Sequence, residues 1–362
     1  MKGHGLQQTP GIAPQRREDI ESGVTMKSKG PFGTRKRRNR RCSLPLNVLL
    51  GTLGVFIFFV VIGSMKKSRE NGLGGGRAKV DTGQPTLFTY RIVEEYDHDP
   101  NAFTQGFEIL KRCDRSGKEC KTSFIESTGL NRKSTVREVD IETGEVVRSK
   151  HLAAEDFGEG ITRLGDTLYQ LTWRSPKILE YDVDNFDNQK MRKTSLKDGW
   201  GITNDGTSLI IGDSSHVLYF VNPSTMKTER SIPVTDDGAS VTWVNELEWV
   251  DGLIYANIWQ RECIAQIEPT TGNVVGWVDL SGITHKLMGD MRAAGNGGHH
   301  IDVLNGIAWD DGEGKLYITG KLWPKVYQIE LRPMYVDSKS IDVKKMTAQV
   351  RERCILPPGT TL

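Results

Sequence analysis

At 362 residues the chain is long enough for two average domains or one large all-β unit, and its 39 glycines against 14 prolines, with 37% hydrophobic and 8% aromatic residues, suit a folded core cut by many tight turns. The formal net charge of +2 hides an asymmetry. Residues 1–43 carry eleven Lys/Arg against three Asp/Glu, whereas from Leu87 onward 32 Lys/Arg face 41 Asp/Glu, so the folded part lacks the basic footprint of nucleic-acid binding and excludes that class of partner.

In chain order, residues 1–43 are poor in large apolar side chains, cannot build a core and read as a cytosolic basic disordered tail. Residues 44–63, Leu44 to Gly63, form a run of twenty without a charge, the length needed to cross a bilayer core, and are predicted to be a single transmembrane signal-anchor helix. A cleaved signal peptide would have a shorter apolar region nearer the start and small residues at a cut site. Six basic residues between Arg35 and Arg41, against Lys66, Lys67 and Arg69 on the other flank, put the N-terminus in the cytosol. The expectation is a single-pass type II membrane protein of the Golgi or ER, with residues 64–86 as a lumenal stem and 87–362 as the folded lumenal domain. No Asn-x-Ser/Thr acceptor for glycosylation occurs. The cysteines, at 42, 113, 120, 263 and 354, have no CxxC spacing and form no zinc signature. In a lumenal domain Cys113 with Cys120 would close a short loop and Cys263 with Cys354 a long one, although the second pair reads equally well as two buried free thiols.

Beyond residue 87 the chain repeats itself. Gln105-Gly106-Phe107, Glu159-Gly160-Ile161, Trp200-Gly201-Ile202 and Asn305-Gly306-Ile307 are four copies of a polar or aromatic residue, a glycine and a short apolar strand; Glu246-Leu247-Glu248 stands where a fifth is required. Second strands follow at Ser123–Glu126, Thr167–Leu171, Ser208–Gly212, Leu253–Ile258 and Lys315–Thr319, and third strands at Thr135–Asp140, Ile178–Asp182, Val217–Asn222, Ala265–Glu268 and Lys325–Leu331. Several close with turns such as Glu142-Thr143-Gly144 and Pro269-Thr270-Thr271-Gly272. Anchors 54, 41, 46 and 59 residues apart bracket the length of a four-stranded propeller blade, with insertions at Lys111–Lys121 and Thr284–His300. The fold class is therefore all-β, a five-bladed β-propeller, in which Phe88–Tyr96 completes the last blade and closes the ring.

In such a ring the innermost strands converge on one mouth of a central channel. The pre-glycine set Gln105, Glu159, Trp200, Glu246 and Asn305 and the second-strand ends Gly129, Trp173, Ser214, Trp259 and Lys321 then gather a carboxylate, amides, an ammonium and indoles: an apolar-walled pocket with a few polar groups. The runs Asp99-Pro100-Asn101-Ala102-Phe103-Thr104-Gln105-Gly106, Phe157-Gly158-Glu159-Gly160, Asp198-Gly199-Trp200-Gly201, Asn245-Glu246-Leu247-Glu248, Ala256-Asn257-Ile258-Trp259-Gln260 and Gly320-Lys321-Leu322-Trp323-Pro324 resemble the plant-type glutaminyl cyclases, over about Phe88 to Leu331.

The resemblance implies conversion of N-terminal glutamine to pyroglutamate on peptides and proteins of the secretory pathway, with no metal and no cofactor. The seven histidines agree, since they include one adjacent pair, His299-His300, in a predicted insertion, and no HExxH spacing. The resemblance makes Glu159 the proton shuttle, its pKa raised by neighbouring indoles; Glu246 and Glu248 are the alternative carboxylates. Trp173, Trp200 and Trp259 would wall the pocket, Phe103 and Gln105 would position the substrate, and Asn245, with Lys321 as a second, would donate to the developing oxyanion. The competing reading is a non-catalytic lumenal propeller whose aromatic mouth holds a sugar or peptide.

Overall fold

Apolar runs bounded by Gly, Asn and Asp dictate strands, and a four-stranded antiparallel meander built from them recurs along the chain. The computed structural model describes residues 84–114, 116, 120–334 and 342–357. The expected tail and membrane helix and nearly all of the stem lie outside them. Of the two units into which the chain divides, Gly75–Leu362 holds all the described residues and Met1–Gly74 lies outside them. No helix among the described residues is long and apolar enough to cross a membrane.

Strand β1 (Thr86–Asp97) precedes the first meander, β2 (Thr104–Cys113), β3 (Cys120–Thr128), β4 (Thr135–Asp140) and β5 (Val146–His151). The second is β6 (Gly158–Leu164), β7 (Thr167–Thr172), β8 (Lys177–Asp182) and β9 (Gln189–Lys193). The third is β10 (Ile202–Asn204), β11 (Leu209–Gly212), β12 (Val217–Val221) and β13 (Thr228–Pro233). After a two-residue ladder, β14 (Thr235–Asp236) with β15 (Ala239–Ser240), the fourth meander runs β16 (Val244–Val250), β17 (Leu253–Ile258), β18 (Cys263–Ile267) and β19 (Val274–Asp279). Helix α1 (Ile283–Ala293) leads to the last strands, β20 (Leu304–Asp310), β21 (Lys315–Gly320) and β22 (Lys325–Pro333), and α2 (Val343–Cys354) follows.

The fifth sheet takes its fourth strand from the start of the chain. β1 pairs antiparallel with β22 from Phe88↔Pro333 to Asp97↔Lys325, as expected of Phe88–Tyr96, and its first residues also pair in parallel with β19 at Thr86↔Gly276 and Phe88↔Val278. The fourth and fifth sheets are thereby joined into one eight-stranded sheet. The first strands of the five sheets adjoin in a closed cycle, β2 on β6, β6 on β10, β10 on β16, β16 on β20 and β20 on β2, which gives an all-β, propeller-like architecture.

Burial follows this order. β6 and β7 are buried along most of their length, whereas β5 and β9 are largely exposed. Apolar side chains fill the space between neighbouring sheets; Leu110, Ile125, Val136, Ile161, Leu168 and Leu179 make one such cluster. Turns from third to fourth strands share one device: Asp140 accepts from the N–H groups of Glu142 and Thr143, Asp182 from Asp184 and Asn185, Asn222 from Ser224 and Thr225, and Glu268 from Thr270 and Thr271.

The insertion at Lys111–Lys121 is the tip of the β2–β3 hairpin, where Cys113 pairs with Cys120; that at Thr284–His300 holds most of α1. Helix α1 buries Ile283, Leu287 and Met291 against the cluster of Val278, Ile307, Ile318 and Trp323. Helix α2, not expected from the sequence, buries Val350 and Cys354 against the cluster containing Trp277 and Ala265. It is fastened by a Cys263–Cys354 disulfide and by Arg351 on Asp236, which also accepts the indole N–H of Trp277.

Candidate active site

The site is made by an irregularity repeated at the start of the inner strands. In β2 the pairing slips between Thr104 and Gly106, in β6 between Gly158 and Ile161, in β16 between Val244 and Leu247, and in β20 between Leu304 and Ile307. A bulge adds a residue that the partner strand does not match and re-aims its side chain. Gln105, Glu159, Asn245 and Asn305 occupy corresponding places in the four bulges.

The residue after each, and after Trp200 at the start of the third sheet, explains the glycines. A Cβ at Gly201 would lie 1.9 Å from the carbonyl oxygen of Asn245, and one at Gly106 2.3 Å from the amide nitrogen of Ile161, so inner strands approach this closely only without a side chain. Here the fifth anchor read from the sequence is corrected by one residue. Asn245, not Glu246, matches Glu159, and Glu246 takes the glycine's place. Its carboxylate accepts from the N–H groups of Phe107 (3.3 Å) and Ile307 (2.9 Å), bridging the first and fifth sheets, while Glu248 accepts from Trp309 N–H at 2.8 Å. Neither alternative carboxylate lines the cavity described next.

The second set of side chains is aimed by the ends of second strands. Trp173 N–H donates to the Phe157 carbonyl, Trp259 to Trp243 and Lys321 to Val303, at 3.0, 3.0 and 2.9 Å. The residue after each turns back through the left-handed region, Arg174 at φ 48°, Gln260 at 59° and Leu322 at 61°, a conformation that costs free energy for a residue with a side chain. The strand thus stops abruptly and leaves its last side chain on the mouth.

All eight residues singled out from the sequence line one cavity of about 180 Å³: Phe103, Gln105, Glu159, Trp173, Trp200, Asn245, Trp259 and Lys321, with Phe157 as a ninth. Asn305 and Ser214 are not among them. Asn305 stands behind, its Nδ2 donating to the Thr104 carbonyl at 3.0 Å and lying 3.4 Å from Gln105 Oε1. Phe157 meets Phe103 edge-on at 6.0 Å between ring centroids and Trp173 at 5.5 Å. Trp243, also not anticipated, backs the other wall, 5.7 Å from Trp200 and 5.2 Å from Trp259.

The polar groups inside are dry. Glu159 is 3% exposed, Asn245 1% and Lys321 5%, and neither Glu159 Oε2 nor Asn245 Oδ1 has a hydrogen-bond partner among the described residues. Unpaired buried oxygens are costly, and a bound ligand is what would satisfy them. Burial pushes the Glu159 carboxyl well above the usual carboxylate range, with Lys321 drawing it down and Asp198 adding to the rise. Burial likewise lowers Lys321, against the attraction of Glu159 and Asp302; its ammonium sits 5.0 Å from the centre of the Phe103 ring. No group of three or more His, Cys, Asp or Glu among the described residues is arranged to hold a metal ion.

A cavity of this volume is well below the roughly 300–1,000 Å³ of sites for drug-sized ligands and suits one polar side chain beside a buried carboxyl and a buried amine that line the same space. The features define an acid–base pocket for a single small group. Residues 69–331 match the family model described as glutamine cyclotransferase. A glutaminyl-peptide cyclotransferase of Arabidopsis thaliana is 37% identical over 316 residues, 87% of this chain and 90% of the relative. The crystal structure of Myxococcus xanthus glutaminyl cyclase superposes with a TM-score of 0.59 at 32% identity, covering 70% of this chain and all of that one. The chain belongs to the glutamine cyclotransferase family.

Proposed function

We propose that this chain is a glutaminyl-peptide cyclotransferase built on a five-bladed propeller, and that the cavity at the inner-strand starts takes an N-terminal glutamine side chain. The observation that carries the reading is a desolvated carboxyl, Glu159, facing a desolvated amine, Lys321, in a 180 Å³ cup of aromatic rings. A non-catalytic binding propeller has no use for two such costly groups in one cavity.

The substrate's α-amine nitrogen attacks the carbon of its own γ-carboxamide, closing a five-membered ring, and the C–N bond to the amide nitrogen breaks. Glu159 accepts the proton that the amine loses and returns it to the departing nitrogen, which leaves as ammonia, so the carboxylate is regenerated. Lys321 donates to the oxygen that becomes negative, a contact worth about 3–4 kcal/mol of barrier in comparable sites. Asn245, expected from the sequence to donate to that oxygen, presents Oδ1 without a partner, so its role here is revised: it takes an N–H of the substrate and orients the carboxamide. Phe103, Phe157, Trp173, Trp200 and Trp259 exclude water and hold the side chain folded on its amine, and Gln105 adds a polar contact.

The test is ammonia release from a Gln-initiated peptide and its Asn analogue. Release from the first alone is expected; release from neither, or equally from both, overturns the assignment.

The domain plan is also proposed: a basic cytosolic tail over 1–43, a signal-anchor over 44–63, a stem over 64–86 and a lumenal catalytic domain over 87–362, retained in the Golgi or ER. The uncharged run Leu44–Gly63, its basic flank and two disulfides, which persist in oxidising compartments, support it. In sealed microsomes an epitope after residue 357 is expected to resist protease until detergent is added; cleavage without detergent rejects this orientation.

A further inference from the structure

The glutamine cup has room for one residue, so the rest of a peptide must leave it along the surface. A groove of about 670 Å³ lies over the first sheet, lined by residues of β3, β4 and β5 with Asn101, Ala102 and Leu322 on its inner side, and it shares its inner wall with the cup. Phe103 and Lys321 line the cup while their neighbours Ala102 and Leu322 line the groove, and Leu322 N–H donates to the Ala102 carbonyl. Gly129 lines the groove with its back to the cup: a Cβ there would fall 2.4 Å from the Phe157 ring and 3.1 Å from Gln105 Cγ. Leu130 and Leu322, which both line the groove, hold left-handed backbones at φ 81° and 61°, and such conformations collect at ligand-binding edges.

The groove's charge is one-sided. Its anion, Asp99, is taken by Arg137, which also binds Glu126. Lys133, exposed on the rim, forms no ion pair among the described residues, and His151 stands on the same wall. We infer that this groove is the subsite for the peptide residues that follow the glutamine, and that Lys133 gives it a preference for acidic ones. The inference rests on the cyclotransferase reading and adds to it where the chain beyond the first residue lies.

The test uses the full-length chain in detergent with three substrates: glutaminamide, the pentapeptide Gln-Ala-Glu-Glu-Ala and the pentapeptide Gln-Ala-Lys-Lys-Ala. The acidic peptide is expected to exceed the basic one in kcat/KM by about two- to fivefold, the range of an exposed charge pair, and to lose this advantage at high salt. Lys133→Glu should reverse the order and leave glutaminamide unchanged. Ser149→Trp, which fills the exposed outer part of the groove, should lower kcat/KM for both pentapeptides and spare glutaminamide. Equal rates for the two peptides, or an order unmoved by K133E, overturn the charge preference; pentapeptide rates unmoved by S149W overturn the groove. Failure of the unmodified enzyme on glutaminamide as well as both peptides would instead sink the cyclotransferase reading itself.

Discussion

In the proposed mechanism Glu159 concentrates the chemistry, and its burial adds a stability cost in the same carboxyl. Glu159→Gln is expected to fold and to lose about 10²–10⁴-fold in turnover; near-normal cyclisation would remove the shuttle role. The same variant reports on burial. A carboxyl whose folded pKa is raised binds more protons folded than unfolded, so its contribution is fully present below about 4.5 and is lost as pH rises through the folded value. The melting temperature of E159Q should therefore match the parent near pH 4 and exceed it increasingly above that; a gap that shrinks with pH contradicts the assignment. Glu159 was legible in the sequence because a carboxylate between two glycines in an apolar strand has no packing purpose. Asn245 was legible as a candidate but Glu246 was given its place, because the fourth repeat carries a glutamate where the others carry glycine. Phe157 was missed as a wall although a signal existed: an aromatic stands two residues before the inward polar one in Phe103-Thr104-Gln105, Phe157-Gly158-Glu159 and Trp243-Val244-Asn245.

Among elements, inner and middle strands were readable and outer ones were not, for a physical reason. β7, β11 and β17 are buried on both faces and write continuous apolar runs, whereas β5 and β9 carry exposed polar residues that no periodicity separates from loop. Helix α2 was invisible for a similar reason: only Val343, Thr347, Val350 and Cys354 of its twelve residues are buried, and its place depends on a covalent bond across 91 positions. Closing a loop of that length removes unfolded-chain entropy worth on the order of 4–5 kcal/mol in the chain-entropy model. Cys354→Ser is expected to lower the unfolding free energy by up to about that amount while leaving kcat at 25 °C intact, since no part of α2 lines the cup. Urea titration with parallel turnover measurements checks both; loss of kcat without loss of stability would contradict the separation.

For the molecule as a whole, the carboxyls buried among the inner strands set the pH response. Burial pushes Glu108 up to about 7 and Glu246 and Glu248 well above the usual range. By the sign already given, stability from these groups is complete below about 4.5 and falls as pH rises above it, through about 7 for Glu108. Glu126 opposes them. Despite burial, Arg137 and His98 hold it near 2, so its contribution is present above about 4.5 and is lost as pH falls towards 2. Thermal stability should peak between these limits, and Glu248→Gln should flatten the alkaline slope alone; an unchanged slope would show that Glu248 is not among the groups responsible. The ring closure has a further meaning while the protein is being made. Arg91 and its partner Glu330 are 239 positions apart, so the earliest strand of the fold to leave the ribosome waits for the latest. At about 5–20 residues per second that is roughly 10–50 s, during which the nascent chain carries β1 without its β22 partner; a message truncated before the codons for β22 yields a polypeptide that never completes its ring.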